Sequence, residues 1–214
     1  MPSIQIAEEV FSVGAKDFKR RIFDAIIPLP EGTSYNSYLI RGEQKNALID
    51  TVNPGFEKEL MLNVLEKIPM EKLDYLIMNH AEPDHANAIS EILEQANNAK
   101  LVTSKIGKIA AKDYFGVADE RIMVVDESTR IELGGKTLRF IDAPWLNWPE
   151  TMFTYLEEDK ILFPCDFFGQ HIATEKNFDD EVPWAEIEEY AKRYYGEIML
   201  PFRAQGAKAL EKLK

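Results

Sequence analysis

The sequence predicts a layered α/β protein, and three observations support that class. Segments of strand length and of helix length alternate between residues 36 and 116. Short apolar runs separated by tight polar turns follow between residues 122 and 164, and helical spacing of apolar residues returns after Pro183. Because strands that alternate with helices build sheets covered by helices, the pattern favours sheet layers with helices packed on their faces.

The first half of the chain supplies the alternation. Strand-like segments at residues 36–40 and 46–50 flank a polar turn at residues 41–44, which predicts a hairpin. Apolar residues at helical spacing follow Gly55, and Gly116 is expected to end the third helix. The predicted elements are strands at residues 10–13, 36–40, 46–50, 73–78 and 100–103, and helices at residues 56–68, 86–96 and 106–114.

Predicted hairpins dominate the second half. Gly134-Gly135 and an acidic turn at residues 157–159 separate runs of strand length. Beyond Pro183 apolar residues are spaced i, i+3, i+4, i+7, which is typical of an amphipathic helix, and a last helix is expected at residues 204–214. The predicted strands of this half are residues 122–125, 129–133, 136–142, 152–156 and 160–164.

Length and composition predict a single folded domain over residues 1–214. The chain is 45% hydrophobic and contains neither an internal repeat nor a linker of Pro, Ser and Gly. Its one cysteine, Cys165, cannot form an internal disulfide, and the N-terminal segment has no apolar stretch like that of a signal peptide. No apolar run approaches the length of a transmembrane segment. We therefore expect a soluble protein in a reducing, cytoplasmic compartment.

The charge of the chain argues against two classes of partner. Asp and Glu number 37 against 25 Lys and Arg, which gives a formal net charge of −12. The pI calculated from the sequence is about 4.8. Such a surface repels phosphate, so we expect neither nucleic acid nor an anionic membrane surface as a partner.

Four potential metal ligands lie directly after the strand predicted at residues 73–78. They are His80, Glu82, Asp84 and His85, and two of the three histidines of the chain are among them. Loops at the carboxyl ends of strands are a usual position for ligand sites in α/β proteins. His80 and Glu82, two residues apart in an extended loop, point the same way, and Asp84 with His85 can face a second ion. The spacing therefore predicts a binuclear metal site.

The run His80-x-Glu82-x-Asp84-His85 resembles the metal motif of the metallo-β-lactamase fold, in the variant found in flavodiiron proteins, which reduce dioxygen or nitric oxide. Other segments similar to flavodiiron sequences follow in the same order over nearly the whole chain. The resemblance implies an αββα sandwich of that fold, here expected to lack the final strand and helix. The similar segments are residues 13–15, 32–40, 142–144, 148–155 and 163–166.

The same resemblance implies a set of iron ligands. His80 and Glu82 would bind one iron, Asp84 and His85 the other, and Asp166 would bridge both. Three carboxylates partly neutralise two divalent ions, and an oxygen-rich site with few imidazoles suits redox iron or manganese better than zinc. We therefore expect a cofactor of two non-haem iron ions.

Two ligands of the family pattern are absent from this sequence. Asn147 stands where the family has a histidine, and the family's last ligand histidine follows a strand beyond the helix expected at residues 204–214. An amide oxygen binds iron less well than an imidazole. His171, a water molecule or a partner chain are alternatives for completing the coordination.

The flavodoxin-like domain that carries FMN in this family has no counterpart in the sequence, which contains no glycine loop that could cradle a phosphate. FMN is therefore not expected on this chain, and electrons would come from a separate flavoprotein or rubredoxin. The expected loss of the final strand leaves a sheet edge exposed. An exposed edge predicts either a homodimer or a complementing chain.

The sequence leaves four functions open. The favoured one is an oxidoreductase that reduces O2 or NO at the diiron centre. The second is a protein that binds or senses these gases without sustained turnover, because the flavin domain and two imidazoles are absent. The third is a metal-dependent hydrolase, although hydrolases of this fold have histidine in place of Glu82. The fourth is a metal-free remnant, in which clustered carboxylates would raise one another's pKa and lower stability as the pH rises.

Overall fold

Two β-sheets packed face to face form the centre of the molecule, and helices cover the outer face of each. The computed structural model describes residues 2–214. Its strands are β1 (Ile4–Ala7), β2 (Val10–Ser12), β3 (Ala15–Asp17), β4 (Ile22–Phe23), β5 (Ile27–Pro28), β6 (Thr33–Tyr35), β7 (Tyr38–Arg41), β8 (Asn46–Ile49), β9 (Tyr75–Ile77), β10 (Lys100–Thr103), β11 (Ile122–Val124), β12 (Arg130–Glu132), β13 (Thr137–Asp142), β14 (Met152–Leu156) and β15 (Ile161–Phe163). Its α-helices are α1 (Glu57–Leu65), α2 (Pro83–Ala86), α3 (Ile89–Gln95), α4 (Gly107–Phe115), α5 (Trp184–Tyr194) and α6 (Arg203–Lys212).

The first sheet has seven strands in the order β1-β2-β7-β8-β9-β10-β11. Strands β1, β2, β7 and β8 pair antiparallel, whereas β8, β9, β10 and β11 pair in parallel. The second sheet contains the four antiparallel strands β12-β13-β14-β15. Because β8 and β9 are parallel neighbours, the loops that follow them leave the sheet at the same edge.

Neighbouring residues along the strands point into different layers, as the pleat of a strand requires. In β8, Leu48 packs in the same core as Leu60 of α1, whereas Ile49 packs in the core that contains Phe140 of β13. On the far side of the second sheet, Phe153 of β14 packs with residues of α5 and α6. The layers therefore follow the order helix, sheet, sheet, helix, in agreement with the αββα arrangement expected from the sequence.

Asn79, directly after β9, joins the two sheets where the predicted metal-binding loop begins. It is fully buried, and its backbone N and side-chain Nδ2 donate to the carboxylate of Asp50 at 2.8 and 3.1 Å. Nδ2 also donates to the carbonyl oxygen of Phe163 at 3.2 Å. The Asn79 backbone and side-chain oxygens accept hydrogen bonds from Met152 N at 3.0 Å and Thr154 Oγ1 at 2.7 Å. Residues of the second sheet thus hold the end of β9 in place.

Most predicted elements are present with shifted ends, and α4 is followed by Gly116 with a φ of 63°, as expected for a residue that ends a helix. The strand predicted at residues 122–125 is present as β11, but it belongs to the first sheet, where it pairs in parallel with β10 after the crossover helix α4. The helix predicted at residues 86–96 corresponds to α3 (Ile89–Gln95). The preceding short helix α2 ends at Ala86, and Ala88 N between the two helices donates to Thr51 Oγ1 at 3.2 Å. Strands β1 and β3 to β6 were not predicted from the sequence. No helix in residues 2–214 is long and apolar enough to cross a bilayer.

Replacing Phe140, which is 1% exposed between the two sheets, tests the central core. We expect Phe140→Ala to lower the free energy of unfolding by about 3–5 kcal/mol through lost burial and a residual cavity, measured by urea denaturation. Leu62→Ala on α1, where the side chain is 54% exposed, is the control and should change that free energy by only about 0.5 kcal/mol. Equal losses in the two variants would contradict this packing.

Candidate metal centre

His80 and His85 face different oxygens of the Asp166 carboxylate. Nε2 of His85 lies 2.9 Å from Oδ1 of Asp166, and Nε2 of His80 lies 3.2 Å from Oδ2. The ring centroids of the two histidines are 5.2 Å apart. One carboxylate from the loop after β15 therefore lies between two imidazoles from the segment after β9.

Two more carboxylates complete this cluster. Oε2 of Glu82 lies 3.2 Å from Nε2 of His80, and Oδ2 of Asp84 lies 3.6 Å from Nε2 of His85. His80, Glu82 and Asp166 are buried and each offers a ligand atom within 4.8 Å of the others. The structure thus brings together all five residues that the sequence pointed to, with one carboxylate beside each histidine and Asp166 shared.

The local sequence explains the two directions in which the loop projects its side chains. Pro83 occupies the first turn of α2, where its missing N–H leaves no hydrogen bond unmade. Glu82, just before it, is extended with φ −63° and ψ 143°. His80 and Glu82 therefore project from extended chain, whereas Asp84 and His85 project from the first turn of α2.

Glu150 orients His80, and the sequence analysis assigned it no role. Its Oε1 accepts hydrogen bonds from Nδ1 of His80 and from the backbone N of Ala81, both at 2.9 Å. When the proton is on Nδ1, the lone pair of Nε2 is free to bind a metal ion. Nε2 is also the nitrogen that faces Glu82 and Asp166. Glu150 is 3% exposed, and no spacing in the sequence distinguishes it from other acidic residues.

Asn147, where the family pattern has a histidine, lies in contact with the cluster. Its Nδ2 donates to Oε2 of Glu82 at 3.1 Å and to Oδ2 of Asp166 at 3.3 Å. The residue has a φ of 72°, a left-handed conformation that asparagine adopts more readily than most residues. The amide therefore supplies hydrogen bonds to two of the predicted ligands.

His171 lies beside the five predicted ligands but is not one of the residues whose ligand atoms converge. Its Nδ1 lies 2.9 Å from Oγ1 of Thr33, and its ring packs against Tyr194 with centroids 5.0 Å apart. Tyr194, in turn, donates its phenolic hydrogen to Oδ1 of Asp166 at 2.8 Å. Sequence analysis identified Tyr194 only as part of an apolar helix face, because its hydroxyl contact depends on how α5 packs.

The donor set fits a pair of cations. Oδ1 of Asp84 is buried and has no hydrogen-bond partner among residues 2–214, which is a costly arrangement unless a ligand satisfies it. Glu82, Asp84 and Asp166 together provide carboxylate oxygens on both sides of the two imidazoles. Buried carboxylates and imidazoles of this kind are the ligand types that suit iron and manganese.

The pKa values show how strongly the cluster depends on its internal charges. Burial raises the pKa of Asp84 to about 6, even though His85 opposes the shift. Burial also acts to raise the pKa of Asp166, but His85 and His80 outweigh it and hold that pKa well below its usual value. Asp166 and Glu82 both add to the raised pKa of Asp84, as expected for clustered carboxylates, whereas at Asp166 the imidazoles of His85 and His80 produce a net lowering.

The stability of the metal-free protein should fall as the pH rises from about 6.5 to 9. Burial alone would lower the pKa of His85, but the carboxylates of Asp84 and Asp166 outweigh it and raise that pKa to about 9. The folded state therefore binds this proton more tightly than the unfolded state, whose histidine has a pKa of about 6.5. The resulting stability is complete below pH 6.5 and is lost as the pH rises through 9.

Urea denaturation in the presence of a chelator, repeated across this pH range, measures the effect. His85→Gln should flatten the dependence. His171→Gln is the matched control, because burial lowers the pKa of His171 to about 4. The folded state therefore keeps this residue neutral over the whole range, and above about pH 7.5 the unfolded state does so as well, so His171 cannot cause a loss of stability as the pH rises. A pH dependence that is the same with and without His85 would refute the assignment.

The chain is similar to known proteins over nearly its whole length. A family model described as ODP family beta lactamase matches residues 33–201. The flavo-diiron protein FprA2 of Clostridium acetobutylicum is 41% identical over 99% of this chain and 53% of its own length. The nitric oxide reductase of Moorella thermoacetica is 38% identical over 99% of this chain and 53% of its own length. The rubredoxin-oxygen oxidoreductase of Megalodesulfovibrio gigas is 34% identical over 100% of this chain and 53% of its own length. The chain spans about half the length of these relatives.

Solved structures confirm the fold. The flavodiiron protein from Giardia intestinalis superposes with a TM-score of 0.95 at 36% identity, covering 100% of this chain and 52% of that protein. This agreement extends over both sheets and all the helices, so the metallo-β-lactamase-like architecture expected from the motif is correct. With the family model matching residues 33–201, the chain belongs to the ODP family of β-lactamase-like domains, and its homologues are flavodiiron proteins.

Proposed function

We propose that this chain is a diiron-binding module that takes part in the reduction of O2 or NO. The observation that carries the proposal is the position of the Asp166 carboxylate between His80 and His85, each of which has a second carboxylate beside it. Relatives named nitric oxide reductase and rubredoxin-oxygen oxidoreductase support the reaction class.

In this proposal His80 and Glu82 hold one iron, Asp84 and His85 hold the other, and Asp166 is shared by both. Bound iron would supply one electron per ferrous ion to the gas. The same residues argue against a zinc hydrolase, because Glu82 adds a hard carboxylate where hydrolases of the fold have an imidazole.

Other residues of the chain support this set without belonging to it. Glu150 keeps the Nδ1 proton of His80 in place, so that Nε2 is the nitrogen available to a cation. Tyr194 donates to Oδ1 of Asp166 and limits how that carboxylate can rotate. Burial of His80, Glu82 and Asp166 keeps bulk water from their ligand atoms.

Electrons would reach the centre from a separate flavoprotein or rubredoxin, a class of partner that the name rubredoxin-oxygen oxidoreductase supports. We further propose that residues 1–214 act as one domain, because both sheets share a single interior. β15 is an edge strand of the second sheet, and the proposal includes a second copy or a complementing chain that covers this edge.

Asn147 favours a second candidate function, the binding or sensing of O2 or NO without sustained turnover. Its amide nitrogen donates to Glu82 and Asp166, where an imidazole would have added a ligand. A weaker centre of this kind would react with the gas once and then stop. Repeated consumption of gas in the presence of an electron donor distinguishes the first function from the second.

Metal analysis tests the ligand set directly. After anaerobic purification from iron-supplemented cells, we expect about two irons per chain by plasma mass spectrometry. Asp166→Asn should lose most of this iron, since it removes the charge that both positions share, whereas Asp142→Asn in β13 should retain it. Less than one metal per chain in the unaltered protein, or equal iron in the two variants, would overturn the proposal, and zinc in place of iron would favour a hydrolase.

Restoring an imidazole at position 147 should strengthen the centre. We expect Asn147→His to raise the affinity for Fe(II) by about tenfold or more, because even groups that only orient a ligand change metal affinity by about 10- to 100-fold. Competition with a calibrated chelator measures the affinity, and Asn147→Ala is the control, since it removes the amide without adding a ligand. If the histidine and alanine variants bind iron equally, residue 147 does not face the metal.

A further inference from the structure

Two ring contacts lead from the metal centre to the surface. Trp148 packs against His80 with ring centroids 5.4 Å apart and planes at 90°. Tyr114 of α4 packs in turn against Trp148, with centroids 6.3 Å apart and planes at 79°. His80 is fully buried, whereas Tyr114 is 64% exposed. The series therefore begins at a predicted ligand and ends in water.

We propose that Tyr114 and Trp148 form an electron relay between the protein surface and the metal centre. The inference rests on the proposed function, because a relay is useful only beside a centre that withdraws electrons. Electron tunnelling weakens steeply with distance, so two short steps through oxidisable rings are faster than one long step. Tryptophan and tyrosine are the aromatic side chains that lose an electron most readily, and both positions of this series carry one.

The surroundings of Trp148 hold it in the position that a relay requires. Its backbone oxygen accepts hydrogen bonds from Trp145 N at 2.9 Å and from Thr151 Oγ1 at 3.0 Å. Its ring also packs against the core between the first sheet and its helices. By contrast, Trp145 and Trp184 are 53% and 70% exposed, and within residues 2–214 neither makes a ring contact with a predicted ligand.

The relay would supply the electrons that two ferrous ions alone cannot provide. Reduction of O2 to two water molecules takes four electrons and four protons, whereas two ferrous ions supply two electrons. In each passage Trp148 gives one electron towards His80 and regains one from Tyr114, which releases its phenolic proton to water. A one-electron reductant of the rubredoxin or flavoprotein class, bound at the surface, then gives one electron to Tyr114, which takes up a proton from water. The net change is one electron moved from that reductant to the centre.

Pulse radiolysis of the metal-free protein tests the relay without requiring a loaded centre. Azide radicals oxidise tryptophan, and transfer of the radical to tyrosine is followed by transient absorption. The background variant Trp145→Phe with Trp184→Phe leaves Trp148 as the single tryptophan. We expect its radical to decay in a fast phase that is independent of protein concentration, with simultaneous appearance of a tyrosyl radical.

Adding Tyr114→Phe to this background should abolish the fast phase. Tyr195→Phe is the matched control, because Tyr195 is 48% exposed and makes no ring contact with Trp148 in the described chain, so the fast phase should persist. A fast phase that survives Tyr114→Phe, or a Trp148 radical that never passes to tyrosine, would overturn the relay. Because the protein is metal-free, either result is separate from the iron content that tests the proposed function.

Discussion

The hydrogen bonds of Asn79 are the constraint on which the rest of the site depends. This one side chain and its peptide groups are bonded to Asp50 beside the first sheet and to Phe163, Met152 and Thr154 of the second. Every polar atom of a fully buried residue is thereby satisfied, which is the condition under which a buried polar network stabilises a protein. His80 is the next residue, so its position relative to the second sheet follows from this network. Asp166 lies three residues after Phe163, the last residue of β15, whose carbonyl oxygen accepts a hydrogen bond from Asn79. The same network therefore also helps to position Asp166.

The cluster that results is electrostatically expensive without a cation. His80 faces Glu82, Asp166 and Glu150, and these carboxylates hold its pKa well above the usual value although burial opposes the shift. In the metal-free chain His80 and His85 therefore hold protons that balance the buried carboxylates. A bound cation would replace those protons, so metal binding and proton release are coupled.

The sequence predicted the layers because they have local signals, and the loop of candidate ligands is marked by a local motif in the same way. Alternating strands and helices, the helix-ending Gly116 and the spacing from His80 to His85 are all visible within short windows. The partners of those ligands are not visible in this way. Glu150 approaches His80 from 70 residues away, and Tyr194 approaches Asp166 from a helix whose sequence shows only an apolar face. Parallel pairing of β11 was also missed, because periodicity reports a strand but not its neighbour.

The two halves of the centre differ in what a metal would have to displace. On one side, Asn147 already donates hydrogen bonds to Glu82 and Asp166, so a cation there competes with contacts that the folded chain has made. On the other side, Oδ1 of Asp84 is buried without a hydrogen-bond partner in the described part of the chain, and a cation would satisfy it. In the proposed centre, Asn147 would therefore weaken chiefly the position next to His80. If the proposed function needs both ions, the affinity of the position held by His80 and Glu82 would limit what the centre can do.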